Sequence, residues 1–229
     1  MRFSPLIFAA PVLATVGYPC YGPDNTAGVC VENADCEANG GTAIDGACPW
    51  DSATVRCCSK KPCLASGAAS SCAWKSDCAG STSSGLCPGG SQVLCCDSLE
   101  NGQGGYPAPA IPSVGACQQT AVDGAATVSG QFPGRVREIF CTRDCDCSTN
   151  PTSDHCCGMA IDFMIADGGG MATLSGVDIA EWVMNQGAAI NLKYVIWGQK
   201  IWNIGRDSVG PWSGWRTMED RGDITQNHW

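Results

Sequence analysis

Basic residues are scarce in this sequence. Its 229 residues include 13 Lys and Arg against 22 Asp and Glu, which gives a formal net charge of −9. Nucleic acids and anionic membrane surfaces are bound mainly through clustered Lys and Arg. The only adjacent basic pair here, Lys60-Lys61, is typical of a solvated turn. We therefore expect no nucleic-acid partner.

Long apolar runs are also absent after the N-terminus. Met1–Ala14 holds one positive charge followed by an apolar run that is shorter than the about 20 residues needed to span a bilayer. Small residues at Val12-x-Ala14 and Thr15-x-Gly17 offer two competing signal-peptidase sites. A buried N-terminal strand is the alternative, but 18 cysteines would be hard to keep reduced in the cytosol. We predict a signal peptide over residues 1–17, a secreted protein and no membrane partner.

The abundant cysteines form an internal repeat. The first copy contains Cys20, Cys30, Cys36, Cys48, Cys57 and Cys58, and the second contains Cys63, Cys72, Cys78, Cys87, Cys95 and Cys96. In both copies the second and third cysteines are six positions apart, and a Cys-Pro precedes the terminal doublet. The sequence thus predicts two modules, over residues 18–59 and 60–97. Modules of about 40 residues need covalent staples to fold.

Disulfides explain these module cysteines better than zinc does. Neither module contains His, and adjacent cysteine doublets are poor chelating pairs. A secreted protein also folds in an oxidising environment. We predict three disulfides per module, with the pairing left open. Because Gly, Ser and Asn dominate between the cysteines, we expect turns and short strands rather than helices.

A Gly/Pro-rich stretch separates the modules from a final domain. Residues 98–116 have the composition of a linker. Residues 117–229 carry their own even set of cysteines, which comprises Cys117, Cys141, Cys145, Cys147, Cys156 and Cys157. This domain also holds most of the tryptophans, and large aromatic side chains can build a core.

Part of the final domain has recognisable secondary-structure patterns. Gly158–Ile165 is typical of a strand that ends on a turn at Gly168–Gly170. Ser175 and Asp178 resemble the capping box of a helix, which we expect to end near Gly187.

A hairpin is predicted further along the domain. Tyr194–Trp197 and Lys200–Trp202 are apolar runs on either side of Gly198-Gln199. The expected fold class is α+β, with a small antiparallel sheet in the C-terminal domain and two small disulfide-rich modules of strands and turns before it.

The chain contains only two histidines, His155 and His228. Asp162 follows His155 by seven positions, and imidazole and carboxylate are both good zinc ligands. The two side chains could therefore converge on one metal ion. The alternative is a structural histidine with an aspartate in a turn or salt bridge.

The motif around these residues resembles a known metal site. Ser153-x-His155-x-x-Gly158-x-Ala160-x-Asp162 is similar to the first metal-binding motif of zinc D-alanyl-D-alanine peptidases, a family related to lysostaphin and hedgehog domains. The resemblance extends from about residue 135 to 229. Within it, four segments resemble the secreted fungal and actinobacterial branch of the family, namely Tyr194–Trp202, Gly214–Arg216, Glu219–Gly222 and Asn227–His228. The cysteine modules resemble repeats found beside cell-wall hydrolases in fungal secreted proteins.

This resemblance implies a zinc-dependent hydrolase of peptidoglycan stem peptides. His155 and Asp162 match the first two zinc ligands, and Ser153 and Arg143 fall where the family places groups that face the substrate. The expected cofactor is zinc, and the expected partner is peptidoglycan or another cell-wall polymer. We expect a monomer.

The third metal ligand is missing from the matching position. In the family, the Asn-His that corresponds to Asn227-His228 is followed by Asp-His-x-His, whereas this sequence stops at Trp229. His228 is the candidate to act in its place. The expectation is either that the natural chain continues or that the domain binds without cutting. A cysteine-rich wall- or glycan-binding protein and a secreted effector are the alternative functions.

Overall fold

Four stretches of the chain are described by the computed structural model, namely residues 15–23, 26–98, 105–165 and 172–229. Most of the predicted signal peptide and the predicted turn at Gly168–Gly170 lie outside the described residues. None of the helices in these stretches has the length and apolar character of a membrane span.

The first module is an antiparallel sheet with one short helix. Its strands are β1 (Pro19–Tyr21), β2 (Ala27–Glu32), β3 (Thr42–Ile44) and β4 (Val55–Ser59), and the helix is α1 (Asn33–Ala38). The strand order is β1-β2-β4-β3. Three disulfides cross it, Cys20–Cys57, Cys30–Cys48 and Cys36–Cys58.

The second module repeats this plan in reduced form. Its strands are β5 (Ser71–Trp74), β6 (Thr82–Ser83) and β7 (Val93–Cys96), in the order β5-β7-β6. Its disulfides are Cys63–Cys95, Cys72–Cys87 and Cys78–Cys96. In both modules the first cysteine pairs with the fifth, the second with the fourth and the third with the sixth. The predicted repeat is therefore a structural repeat, and its two copies share the pairing that the sequence left open.

Helix α1 departs from the expectation of strands and turns alone, which was wrong for the first module. Cys36 lies in the middle of α1, is fully buried and is bonded to Cys58 of β4. Asn33 Nδ2 also donates to Glu37 Oε1 at 2.7 Å, across one turn of the helix. Isolated helices of this length are marginal in water, so we attribute α1 to its covalent anchor.

The C-terminal domain combines helices with two small antiparallel sheets. Its described elements are α2 (Gln119–Gln131), β8 (Glu138–Phe140), β9 (Asp162–Met164), α3 (Val177–Asn185), β10 (Tyr194–Trp197), β11 (Lys200–Asn203) and β12 (Arg216–Thr217). β8 pairs with β9, and β10, β11 and β12 form the second sheet in that order. The predicted α+β class is confirmed, and so is the hairpin around Gly198-Gln199, whose φ angles of 55° and 61° suit a tight turn.

Two elements differ from their predicted bounds or were not predicted. Strand β9 is shorter than the predicted strand because Gly158, with φ 64°, still belongs to the preceding turn. Helix α2 was not predicted, although Ala121, Ala125 and Val128 recur at helical spacing and are its buried residues.

The start of α3 is also not the capping box that the sequence indicated. The N-cap residue is Gly176, and no side chain caps the helix. Asp178 is instead engaged by Arg135, whose Nη1 lies 3.0 Å from its Oδ2. Ser175 accepts a hydrogen bond from Ser76 Oγ at 3.0 Å. Both polar side chains are thus used for contacts with other segments.

The tryptophans of the domain build its core, as their number predicted. Trp197, Trp202, Trp212 and Trp215 are buried with the apolar face of α3, including Ile179. The indole N–H of Trp212 donates to the Trp197 carbonyl at 2.8 Å, so the polar edge of this buried ring is satisfied.

Both modules pack directly on the C-terminal domain. The ring of Tyr21 in β1 lies edge-on to Phe132, with centroids 5.3 Å apart. Trp50 of the first module donates its indole N–H to Glu181 of α3 at 2.9 Å. Asp77 of the second module forms a buried salt bridge with Arg135 at 3.5 Å. Side chains of all three units therefore share one packed centre.

Candidate metal-binding site of the C-terminal domain

The candidate site sits on a loop held by three disulfides. Between β8 and β9 the chain runs through a series of turns, and the pairs Cys117–Cys141, Cys145–Cys156 and Cys147–Cys157 hold it in place. The last two pairs bracket His155 from both sides of the loop. Cys156 and Cys157 are therefore disulfide-bonded structural residues.

His155 and Asp162 lie next to each other, which suits both alternatives that the sequence left open, a shared metal ion and a salt bridge. His155 Nε2 lies 3.3 Å from Asp162 Oδ1. The other ring nitrogen, Nδ1, lies 2.6 Å from the carbonyl oxygen of Cys141. Two acceptors thus face the two ring nitrogens. Such an arrangement is satisfied either by a doubly protonated imidazole or by a neutral one that donates from Nδ1 and offers Nε2 to a cation.

The pair fits half of a zinc site. Two ligand atoms that each lie about 2.0–2.1 Å from a tetrahedral zinc ion are about 3.3 Å apart, which is the separation found here. Zinc-binding histidines commonly donate their second N–H to a backbone carbonyl, which fixes the ring orientation. Cys141 supplies that carbonyl, and its own disulfide to Cys117 holds it in place.

Arg143, predicted to face the substrate, contacts Asp162 and changes the electrostatics of the pair; its role toward a substrate stays a prediction. Its Nη2 lies 3.5 Å from Asp162 Oδ2, on the carboxylate oxygen that His155 does not use. Burial acts to raise the pKa of Asp162, but the hydrogen bond with His155 and the positive charges of His155 and Arg143 outweigh it, so that the pKa is lowered. The hydrogen bond with Asp162 in turn raises the pKa of His155. Asp162 is therefore held as a carboxylate.

His228 lies in the same electrostatic neighbourhood but does not complete a set of three ligands. Burial lowers its pKa, and the charges of Arg221 and Arg143 lower it further, against the effect of Asp162. Among the described residues, the only groups of three or more His, Cys, Asp and Glu with ligand atoms within 4.8 Å of one another are two sets of cysteines. Those cysteines are disulfide-bonded. His228 is thus placed near the pair, beyond joint ligand distance.

Ser153 is used within the loop in this conformation. Its Oγ accepts a hydrogen bond from the backbone N–H of Cys156 at 3.3 Å, which stabilises the turn that presents His155. Its predicted contact with a substrate stays a prediction.

Two further polar residues lie beside the pair and were not predicted as site residues, Asp154 and Tyr194. Lys193 Nζ lies 2.9 Å from both carboxylate oxygens of Asp154, which places the start of β10 beside the site. Burial raises the pKa of Tyr194 to about 12, with further contributions from its hydrogen bond to Asp154 and from the charge of Asp162. Tyr194 therefore remains a neutral hydroxyl donor at the edge of the site. Its place at the head of the motif Tyr194–Trp202 was the available signal.

Exposed apolar side chains flank the polar cluster. Phe140 is directly opposite Asp162 in the β8–β9 ladder, so that both side chains lie on the same face of the two-stranded sheet. Phe140 and Met159 remain 51% and 46% exposed. The site thus combines two potential metal ligands, a cation, a hydroxyl and an apolar border.

The fold and site define a secreted, cysteine-rich, disulfide-built α+β protein. Residues 113–229 match the family described as VldE, C-terminal domain, and the chain belongs to this family. The chain is also 46% identical over 231 residues to an uncharacterized secreted protein of Arthroderma benhamiae, covering 94% of this chain and 92% of that protein. The prediction of an extracellular protein is confirmed by this relative. No solved structure matches the chain.

Proposed function

We propose that this protein acts on the bacterial cell wall as a zinc-dependent peptidase of the D-alanyl-D-alanine type, with peptidoglycan stem peptides as its substrate. The observation that carries the proposal is the separation of 3.3 Å between His155 Nε2 and Asp162 Oδ1, together with the orienting hydrogen bond from Nδ1 to the Cys141 carbonyl. The resemblance of the motif Ser153–Asp162 to the zinc peptidases supports the same reading.

Each residue of the site has a role in this proposal. His155 and Asp162 would hold the metal, and zinc in such a site polarises a carbonyl and lowers the pKa of bound water. Arg143 offers a guanidinium to the terminal carboxylate of a peptide, the kind of group that it contacts on Asp162. The neutral hydroxyl of Tyr194 can donate to a substrate carbonyl. His228 is the candidate to exchange a proton, since its lowered pKa keeps it neutral near pH 7.

Metal content is the decisive measurement. The secreted protein is dialysed against a weak chelator and its zinc is quantified by elemental analysis. We expect about one zinc per chain, lost in His155→Ala and Asp162→Ala and retained in the control Asp123→Asn, which changes an exposed carboxylate on α2. An absence of zinc from the unaltered protein would refute the metal-dependent function.

The substrate class needs a separate assay. Zinc-loaded protein is incubated with synthetic stem peptides that end in D-alanyl-D-alanine, and the released D-alanine is measured. Arg143→Gln is expected to raise KM more than it lowers kcat if the guanidinium binds the substrate carboxylate. Zinc binding without release of D-alanine would leave a metal site but remove the proposed substrate.

A cavity favours a second candidate function, the binding of wall glycan without cleavage. It measures about 270 Å³ and lies between the second module and the C-terminal domain, with Trp74, Gln92, Thr173 and Trp229 among its lining residues. An indole edge offers an apolar surface and an N–H group, and an amide offers hydrogen bonds, which together could contact the apolar face and the hydroxyls of a sugar ring. Within the described residues, Gln92 Oε1 is buried without a hydrogen-bond partner.

Pulldown on insoluble wall fractions tests this second function. Gln92→Ala is expected to weaken retention of the zinc-free protein on chitin or peptidoglycan, whereas the control Gln226→Ala, at an exposed position, should leave it unchanged. Equal retention of both variants would rule out the cavity as the glycan site.

A further inference from the structure

Thr15 is bound tightly to the first module although it lies within the predicted signal peptide of residues 1–17. Only 3% of its surface is exposed. Its backbone nitrogen donates to Asp51 Oδ1 at 2.7 Å, and its hydroxyl donates to Asp51 Oδ2. One carboxylate therefore receives both donors of a single residue, and the backbone nitrogen is one of them.

Residues 15–17 are also part of the backbone structure of the module. Tyr18 N–H donates to the Thr15 carbonyl at 2.9 Å, which closes a turn, and Gly17 N–H donates to the Cys30 carbonyl at 2.7 Å. Gly17 takes a φ of 87°, a conformation that favours glycine. A cut after Gly17 would remove all of these contacts, whereas a cut after Ala14 would keep every one.

Within the described stretches, no Lys, Arg or His side chain forms a salt bridge with Asp51. The salt bridges of residues 15–23, 26–98, 105–165 and 172–229 leave it without a Lys, Arg or His. Asp51 is only partly exposed, and a carboxylate withdrawn from water is costly unless a positive charge or hydrogen bonds compensate it. The group that faces Asp51 Oδ1 is the nitrogen of Thr15.

We propose that signal peptidase cuts between Ala14 and Thr15, and that the new α-ammonium group of Thr15 forms an ion pair with Asp51. Hydrolysis breaks the amide bond with one water molecule. The carboxylate leaves on Ala14, and the freed amine of Thr15 takes up a proton. An α-amino group has an ordinary pKa of about 7.7–8.0, so it is charged at neutral pH.

The cut thus converts a neutral hydrogen bond into a charge-assisted one at the same place. Charge-assisted hydrogen bonds are about twice as strong as neutral ones. Removal of the signal peptide would therefore stabilise the first module after export. The ion pair lies at the N-terminus of the mature chain and does not depend on zinc binding.

The cleavage site is tested on the full chain expressed in a secreting yeast. The protein is purified from the medium, and its N-terminus is determined by Edman sequencing and intact mass. We expect a chain that begins at Thr15. A chain that begins at Tyr18, or at any residue other than Thr15, would overturn the assigned cut.

The ion pair is tested by a double-mutant cycle on the secreted protein. An alanine inserted between Ala14 and Thr15 moves the ammonium group one residue away and leaves an amide N–H on Asp51. In the parent this insertion is expected to lower the Tm by about 2–4 °C, and in the Asp51→Asn background by no more than about 1 °C. N-terminal sequencing of each form verifies that the inserted alanine is retained. Equal lowering in both backgrounds would contradict the pairing of ammonium and carboxylate.

Discussion

The guanidinium of Arg135 lies 3.5 Å from the carboxylate of Asp77, although the two side chains are only 2% and 3% exposed. Arg135 belongs to the C-terminal domain and Asp77 to the second module. The carboxylate of Asp178 lies on the other side of the guanidinium, at 3.0 Å. Burial alone would lower the pKa of Arg135, but the two acids raise it well above its ordinary value. A buried cation between two acids therefore joins the module to the domain.

Removing this cation should destabilise the whole protein. Arg135→Met keeps the aliphatic part of the side chain but leaves buried carboxylates without their positive charge. The expected loss is about 3–5 kcal/mol in the free energy of unfolding, measured by guanidinium denaturation. Arg206→Gln, at an exposed position, is the matched control and should cost at most about 1 kcal/mol. Similar losses in both variants would mean that the buried cation does not hold module and domain together.

Glu181 makes the corresponding contact for the first module. Its Oε2 accepts the indole N–H of Trp50 at 2.9 Å, and its Oε1 accepts the backbone N–H of Trp212 at 2.7 Å. Glu181→Gln leaves one acceptor oxygen for two donors and turns an amide N–H toward the second donor. We expect a loss of about 1–3 kcal/mol by thermal or chemical unfolding. The surface variant Glu138→Gln should change stability by less than about 1 kcal/mol, and an equal effect of both would contradict the role of Glu181.

The sequence was sufficient for features with short-range signals. The cysteine repeat and the hairpin at Gly198-Gln199 follow from spacing within one segment. For His155 and Asp162, spacing left a shared metal ion and a structural salt bridge as alternatives. The disulfide pairing did not follow, because many pairings satisfy the same spacing. In the antiparallel ladders Cys30 lies opposite Cys57 and Cys72 opposite Cys95, but these neighbours are not bonded to each other. Cys30 pairs with Cys48 and Cys72 with Cys87, so neighbouring positions in a ladder would have suggested the wrong bonds.

Contacts between distant segments could not be predicted from the sequence. Ser175 and Asp178 have the local pattern of a capping box, yet Arg135 and Ser76 use these side chains instead. Propensity describes an isolated segment, and a buried guanidinium outweighs one helix cap worth about 1 kcal/mol. The place of Tyr194 beside Asp154 likewise depends on how β10 packs against the loop.

The two histidines should titrate on opposite sides of the ordinary histidine pKa of about 6.5. The hydrogen bond with Asp162 raises the pKa of His155, whereas burial lowers the pKa of His228. In NMR spectra of the zinc-free protein, Asp162→Asn is expected to lower both pKa values, because the Asp162 charge supports both imidazolium forms. The control Asp123→Asn should move neither, and two histidines that titrate together would contradict the arrangement.

These shifts give opposite contributions to stability. Because the pKa of His155 is raised in the folded state, its contribution is fully present below about pH 6.5 and is lost as pH rises through the raised pKa. Because the pKa of His228 is lowered, it reduces stability as pH falls from about 6.5 through the lowered pKa. We expect His155→Ala to destabilise the zinc-free protein more at about pH 5 than at about pH 8. Thermal unfolding at both pH values measures this, and a larger effect at the higher pH would contradict it.

Removing the disulfide Cys145–Cys156 should weaken metal binding as well as lower the free energy of unfolding. It closes a loop of 11 residues, and Cys156 follows His155 directly. The loop-entropy relation assigns such a loop about 3 kcal/mol. The double variant Cys145→Ser/Cys156→Ser is expected to lose that stability and to bind zinc at least about tenfold more weakly, because the orientation of the His155 ring depends on this turn.

A second double variant separates stability from positioning. Cys72→Ser/Cys87→Ser removes a disulfide with a sequence separation of 15 residues in the second module, away from the loop that carries His155. Its cost by the same relation is also about 3 kcal/mol, but its zinc affinity, measured by competition with a chromophoric chelator, should equal that of the unaltered protein. If both double variants lose zinc affinity equally, the effect is one of global destabilisation. If neither loses it, the loop holds His155 without the Cys145–Cys156 bond, and the backbone hydrogen bonds of residues 153–158 are sufficient to orient the ring.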